Sequence, residues 1–225
     1  MNTVLFFVLG FSYVLLFIWG LVFTKNLGLM NLTNVFLLVI FGLIYDNLIL
    51  AFGKFIGEGN LLQSLSYVRF WLHALFTPTL ILFAWKISYR TDIHWAKKKF
   101  WKALANILTI GLIFYELFSS AIGLKLEPTC NHGVLSYESA GQSNSPLMVI
   151  IITLVLGIVG FNLIIEYRFF WLFIGTLIII SGAILSIWIK SFPIMNVIEY
   201  LFIVSLLLTM HFFVRIRNSF NNIAN

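Results

Sequence analysis

Seven stretches of about 20 largely apolar residues follow one another along the chain, and that repetition constrains the fold more than any single motif does. A helix rising ~1.5 Å per residue needs about 20 residues to cross the hydrocarbon core of a bilayer. The stretches lie near residues 3–23, 33–53, 67–88, 103–123, 147–166, 169–189 and 195–214. Most are apolar on all sides, as befits helices packed in lipid, and this leaves their rotation open. The expected fold is all-α: one polytopic integral membrane bundle of seven transmembrane helices over residues 1–225, with nothing to separate a second domain.

Composition removes the alternatives. Of the 225 residues 61% are hydrophobic and 10% charged, against roughly half and a quarter in ordinary soluble domains. Four prolines and 15 glycines without a low-complexity tract exclude collagenous and disordered chains. A single cysteine, Cys130, excludes a disulfide scaffold and any Cys-rich zinc or iron–sulfur site, and no cofactor or metal is expected. The net charge of +6 would point to nucleic acid in a soluble protein. Here the cations sit beside apolar spans, so membrane lipids are the expected partners and nucleic acid is not. The apolar run from Asn2 to Phe23 lacks a basic leader and a small-residue cleavage site, and reads as a span rather than a signal peptide.

Lysine and arginine set the expected orientation. The connection from Tyr89 to Lys102 carries Arg90, Lys97, Lys98, Lys99 and Lys102, which places it in the cytoplasm. Seven spans then put the N-terminus outside and the C-terminus inside, in agreement with Lys25, Arg215 and Arg217. On this topology ten of the 14 basic residues lie inside, and the plasma (cell) membrane is the expected location. The Asn31-Leu32-Thr33 sequon falls on the cytoplasmic side, where glycosylation is not expected. The longest external connection runs from Leu124 to Pro146. Its Cys130 and His132 are two potential ligands without a third, so an unpaired thiol is expected there in place of a metal site. Gly53, Gly57 and Gly59 follow small-residue spacing at the outer end of the second span, which points to close helix packing. Glu166, Arg168 and His211 read as interfacial. The basic connection itself, with Trp95, Phe100 and Trp101, is assigned a topological role.

Ionisable residues inside spans are costly and face a cavity, a partner or the bundle interior. The second span carries Tyr45-Asp46-Asn47 and the third carries Arg69 and His73. Tyr115-Glu116, followed by Ser119 and Ser120, lies on the fourth span, and Asn196 and Glu199 lie on the seventh. Asp46 and Glu116 sit about seven residues, or ~10 Å, below the outer ends of their spans, and His73 and Glu199 roughly 5–10 Å below the same surface. Four helices therefore place ionisable groups in one layer, which implies a single polar cavity in the outer half. Arg69, His73 and Thr77 are spaced i, i+4 and i+8, a common stripe, and Pro78 predicts a kink beside it.

Three acids face one arginine and one histidine in this layer, so at least one acid is expected to hold its proton. Asp46, His73, Glu116 and Glu199 are the candidate catalytic residues, with Asn47, Arg69 and Tyr115 as candidate substrate-binding residues. A protonated acid beside a histidine suits proton donation or relay, here on a lipid or isoprenoid-like hydrophobic small molecule. Seven helices with acids in the second and seventh are similar in layout to the integral-membrane meroterpenoid cyclases, in which carboxylates initiate cyclisation by protonation. The resemblance covers layout and length only; the local acidic motif does not match Tyr45-Asp46-Asn47, and no residue role is carried over. Two other classes fit the same residues: a proton- or cation-coupled small-molecule transporter, and a non-enzymatic membrane sensor or immunity protein in which the polar cluster fixes helix packing. An odd number of spans and the absence of an internal repeat argue against a simple inverted duplication of the transporter kind.

Overall fold

The computed structural model describes residues 2–24, 35–91, 93–131, 133–140 and 146–223, with side chains at all of these but 23 and 214–223. Lys25, the Asn31-Leu32-Thr33 sequon, His132 of the external connection, and the side chains of Arg215 and Arg217 lie outside the described residues. Among the described residues there are eight α-helices: α1 (Asn2–Thr24), α2 (Val35–Ile56), α3 (Asn60–Phe76), α4 (Leu80–Arg90), α5 (Lys99–Glu116), α6 (Leu147–Tyr167), α7 (Trp171–Trp188) and α8 (Ile194–Ile223). A 3₁₀ turn over Thr77–Thr79 joins α3 to α4, so the two form one span from Asn60 to Arg90, and seven helical segments are long and apolar enough to cross a membrane.

Pro78 explains the 3₁₀ turn. It has no N–H to return to the carbonyl of Ala74, and the chain tightens for one turn before α4 resumes. The hydroxyl of Thr79 donates to the carbonyl of Phe76, capping a carbonyl that the break exposes. α4 then lies centrally, packed against α2, α5, α6 and α8, while α1 covers α2 and α8, and α7 fills the space between α6 and α8. Phe36, Ile40, Phe83, Leu156, Leu206 and Met210 are fully buried in the resulting core. Apolar side chains on the outer faces, among them Val4, Val8, Phe11 and Leu15 of α1, are exposed. That outward face is what lipid requires and water would penalise.

Small residues set the closest approaches. A Cβ on Gly160 would come within 2.8 Å of the backbone nitrogen of Phe173, so α6 and α7 pack nearly in backbone contact, and one on Gly182 within 2.5 Å of the Ile198 side chain, for which α7 leaves room against α8.

The connection after α5 corrects the all-α expectation. Leu126–Asn131 (β1) and Val134–Ser139 (β2) form an antiparallel hairpin, paired from Leu126↔Ser139 to Asn131↔Val134, with Gly133 at φ 71° in its turn. Glycine, with no Cβ, adopts that backbone without strain. The hairpin closes one end of the bundle. Leu126 and Tyr137 pack with Leu62 and Leu124, and Val134 packs with Phe6, Leu50 and Ala51. Tyr67 Oη donates to the carbonyl of Leu124 at 2.8 Å, and the N–H of Gly59 donates to Tyr137 Oη at 3.1 Å.

The glycine expectation divides. Gly53 does serve packing: a Cβ there would land on the carbonyl oxygen of Leu135, so the hairpin rests directly on α2. Gly57 and Gly59 instead belong to the three-residue turn between α2 and α3, at φ 78° and 153°, with nothing near a Cβ at either. They permit a reversal of direction, and α3 consequently starts at Asn60, seven residues before the expected 67. At the opposite end, the segment between α4 and α5 is folded back on the bundle. Trp85 Nε1 donates to the carbonyl of Ala96 at 3.2 Å, and Tyr167 Oη donates to that of Thr91 at 2.7 Å.

Candidate functional site

Near the hairpin end, a cavity of about 400 Å³ opens between α2, α3, the end of α5 and the starts of α6 and α8. Its size falls within the range of small-molecule sites. Asp46, Arg69, His73, Glu116 and Glu199 all stand on its wall, together with Thr77, Ser120 and Asn196. The rest of the wall is largely apolar, including Val39, Leu43, Phe70, Phe76, Met148 and Met195. Ionisable residues as far apart in sequence as Asp46 and Glu199 therefore border one space on the hairpin side of the bundle.

Local geometry accounts for each placement. Arg69, His73 and Thr77 share one face of the third span, and the Thr77 hydroxyl lies 3.2 Å from His73 Nδ1, holding that ring nitrogen in a hydrogen bond. α5 closes with a π turn over Leu117–Ala121, in which the N–H of Ile122 reaches back to the carbonyl of Leu117 at 2.7 Å. Such wide turns recur at functional sites. Here the turn brings Ser120 onto the same wall as Glu116.

Arg69 Nε donates to Asp46 Oδ1 at 2.7 Å, a charge-assisted contact between side chains that are 13% and 27% exposed. The pair occupies a boundary. On its far side, a smaller chamber of about 190 Å³ under the hairpin is bordered by Asp46, Arg69 and Asn196 again, and by Asn131, Ser136 and Glu138 of the strands. Within it, Asn131 Nδ2 donates to Glu138 Oε2 at 2.8 Å, and the Ser136 hydroxyl lies 3.4 Å from Oε1. Away from the hairpin, the main cavity continues into an apolar recess of about 70 Å³ lined by Leu80, Ile152, Ile179, Phe202 and Ile203.

Two polar atoms on the main wall are buried and without a hydrogen-bond partner: Arg69 Nη1 and Glu116 Oε2. Buried polar atoms are ordinarily satisfied, and an unsatisfied one costs about 1–3 kcal/mol. Glu116 is only 5% exposed. Among the described residues no three His, Cys, Asp or Glu side chains are close enough together to hold one metal ion, so the acids surround the space without collapsing onto a common point. Cys130 is a free, exposed thiol on β1.

Two expected site residues are not on the cavity wall. Asn47 is fully buried, and its Nδ2 donates to the carbonyl of Leu43 at 2.8 Å within its own helix. Tyr115 also does not border the cavity. Each is the immediate neighbour of an acid that does, and consecutive residues on a helix point about 100° apart. The neighbouring Tyr45 is likewise engaged elsewhere, donating from Oη to the carbonyl of Leu65 at 3.1 Å. The second chamber was not legible in the sequence, because it depends on the hairpin, which alone turns Glu138 and not Glu127 towards Asp46 and Arg69. No family model, curated protein or solved structure matches the chain.

Proposed function

We propose that the protein is an intramembrane enzyme that carries out acid–base chemistry on a lipid or another hydrophobic small molecule, in the cell membrane. One observation carries the reading: three carboxyl side chains and a histidine border a cavity whose remaining wall is mainly apolar and whose inward recess is lined mostly by aliphatic and aromatic side chains. Such a space holds an apolar substrate while keeping proton donors and acceptors beside it. Glu116 and Glu199 are the proton donors, and His73, positioned through Thr77, accepts or relays a proton. Asp46 and Arg69 hold each other and orient the polar end of the cavity. A proton leaves a carboxyl O–H for the substrate and another returns from it, so the protein regains its starting charge after each turnover.

Transport is the weaker reading for a specific reason. The recess ends among apolar side chains. Farther along α8, the buried hydroxyls of Ser205 and Thr209 donate to carbonyls of their own helix, at 2.7 Å each, and on α4 Ser88 donates to Ala84 in the same way at 3.0 Å. Hydroxyls so engaged do not extend a polar path across the bilayer. The test is lipid extraction from cells carrying the intact protein, Asp46→Asn, Glu116→Gln or Glu199→Gln at equal membrane abundance. The expected result is build-up of a hydrophobic substrate and loss of its product in the Glu116→Gln and Glu199→Gln cells. Identical profiles would refute the enzyme reading. Solute or proton flux in liposomes that Asp46→Asn abolishes would replace it with transport, and loss of folded protein in step with every variant would replace it with a packing role.

A further inference from the structure

We infer that the cavity admits an uncharged lipophile with a hydrogen-bonding oxygen at its polar end, and turns away the phosphorylated or carboxylated lipid of the same chain length. This rests on the reading of the cavity as a substrate site and adds the class of substrate. The reasoning starts from the state of the only arginine on the wall. Arg69 gives Nε to Asp46 at 2.7 Å, so its positive charge is already balanced inside the site. What remains is the Nη edge of the guanidinium, on which Nη1 is buried and without a partner. A neutral hydroxyl or carbonyl oxygen satisfies that edge without adding charge.

An anion fares badly whatever the protonation of the other acids. Glu116 and Glu199 border the same space, and no ion pair to either is present among the described residues. If one is ionised, a bound anion about 6 Å away at an effective dielectric near 20 is disfavoured roughly a hundredfold. If both are protonated, the anion still leaves water for a wall whose one permanent cation, Arg69, is already committed to Asp46, and that desolvation is itself costly. A neutral oxygen avoids both costs. A hydroxyl, unlike a carbonyl, also has a proton to donate towards Glu116, which is 5% exposed and whose Oε2 is buried without a partner. The recess beyond His73 and Glu199 then takes the chain, against Leu80, Ile152 and Phe202.

The experiment uses the full-length protein in lipid nanodiscs and three photoreactive probes with the same diazirine-bearing alkyl chain, ending in an alcohol, a carboxylate or a phosphate. Labelling is read by mass spectrometry on peptides carrying Met148–Val149 and Met195–Glu199, which border the cavity. The alcohol is expected to label these peptides at least about tenfold more than either anion. In Asp46→Asn, which leaves the charge of Arg69 unbalanced, anion labelling is expected to rise severalfold. Equal or preferential labelling by an anionic probe in the intact protein, or no cavity labelling by the alcohol, would overturn the inference, and neither result depends on the variant folding. Altered lipid profiles in the Glu116→Gln and Glu199→Gln cells together with anion preference would leave the enzyme reading standing and remove this one; alcohol labelling with unaltered profiles would do the reverse.

Discussion

Breaking the Asp46–Arg69 pair from one side should cost far more than removing both partners. The contact is 2.7 Å long, and its side chains are 13% and 27% exposed, so each charge is mostly withdrawn from water. Removing one partner of a fully buried pair typically costs 3–5 kcal/mol, most of it from the charge left behind. Scaled for the residual exposure, Asp46→Leu and Arg69→Met alone should each cost about 3 kcal/mol. The double variant removes both charges and both desolvation penalties while keeping apolar volume, and should cost about 1 kcal/mol or less. The coupling energy is then about 5 kcal/mol if the singles are taken at face value. Equilibrium unfolding in mixed micelles, titrated with a denaturing detergent and followed by helical circular dichroism, measures all four corners of the cycle. Singles that add within about 0.5 kcal/mol to give the double would mean that the two groups are energetically independent, and the balanced charge on which the cavity's selectivity depends would not exist.

Two further outcomes follow from the hairpin. Gly53→Ala places a methyl group on the Leu135 carbonyl oxygen, a backbone atom that cannot move alone, so the hairpin should be displaced from α2 at a cost of about 1–3 kcal/mol and strand amides should exchange faster in hydrogen–deuterium exchange; unchanged exchange would show that the contact is not tight. Cys130 is the single cysteine and is exposed on β1, so a membrane-impermeant maleimide should label it in intact cells and Cys130→Ser should abolish labelling. Labelling only after the membrane is opened would invert the orientation read from the lysines.

The spans were legible because each depends on a property summed over about 20 residues, and summed hydropathy survives local irregularity. The third was misjudged at its start for the same reason. Gln63, Ser64 and Ser66 dilute its apolar content, and it has the lowest mean hydropathy of the seven, 1.3 against 2.8 for α6. The hairpin left little signal, since β1 is mostly exposed and β2 buries Ser136 and Tyr137 in succession, breaking the alternation that marks a strand. At the site, depth could be counted along each helix, and depth is what groups Asp46, His73, Glu116 and Glu199. Rotation could not be counted, because spans that are apolar all round carry no moment to orient them. Asn47 and Tyr115 share the depth of the adjacent acids and differ from them only in rotation.

The short glycine turn between α2 and α3 also bears on how the protein is made. Asp46 and Arg69 are only 23 positions apart on helices joined by three residues, whereas Glu116 and Glu199 are synthesised much later. An isolated ionised side chain at mid-span raises the cost of insertion by roughly 2.5–3.5 kcal/mol. Because the partners lie on adjacent helices of one helical hairpin, the pair needs no later span to form, and neither charge has to enter the bilayer unaccompanied.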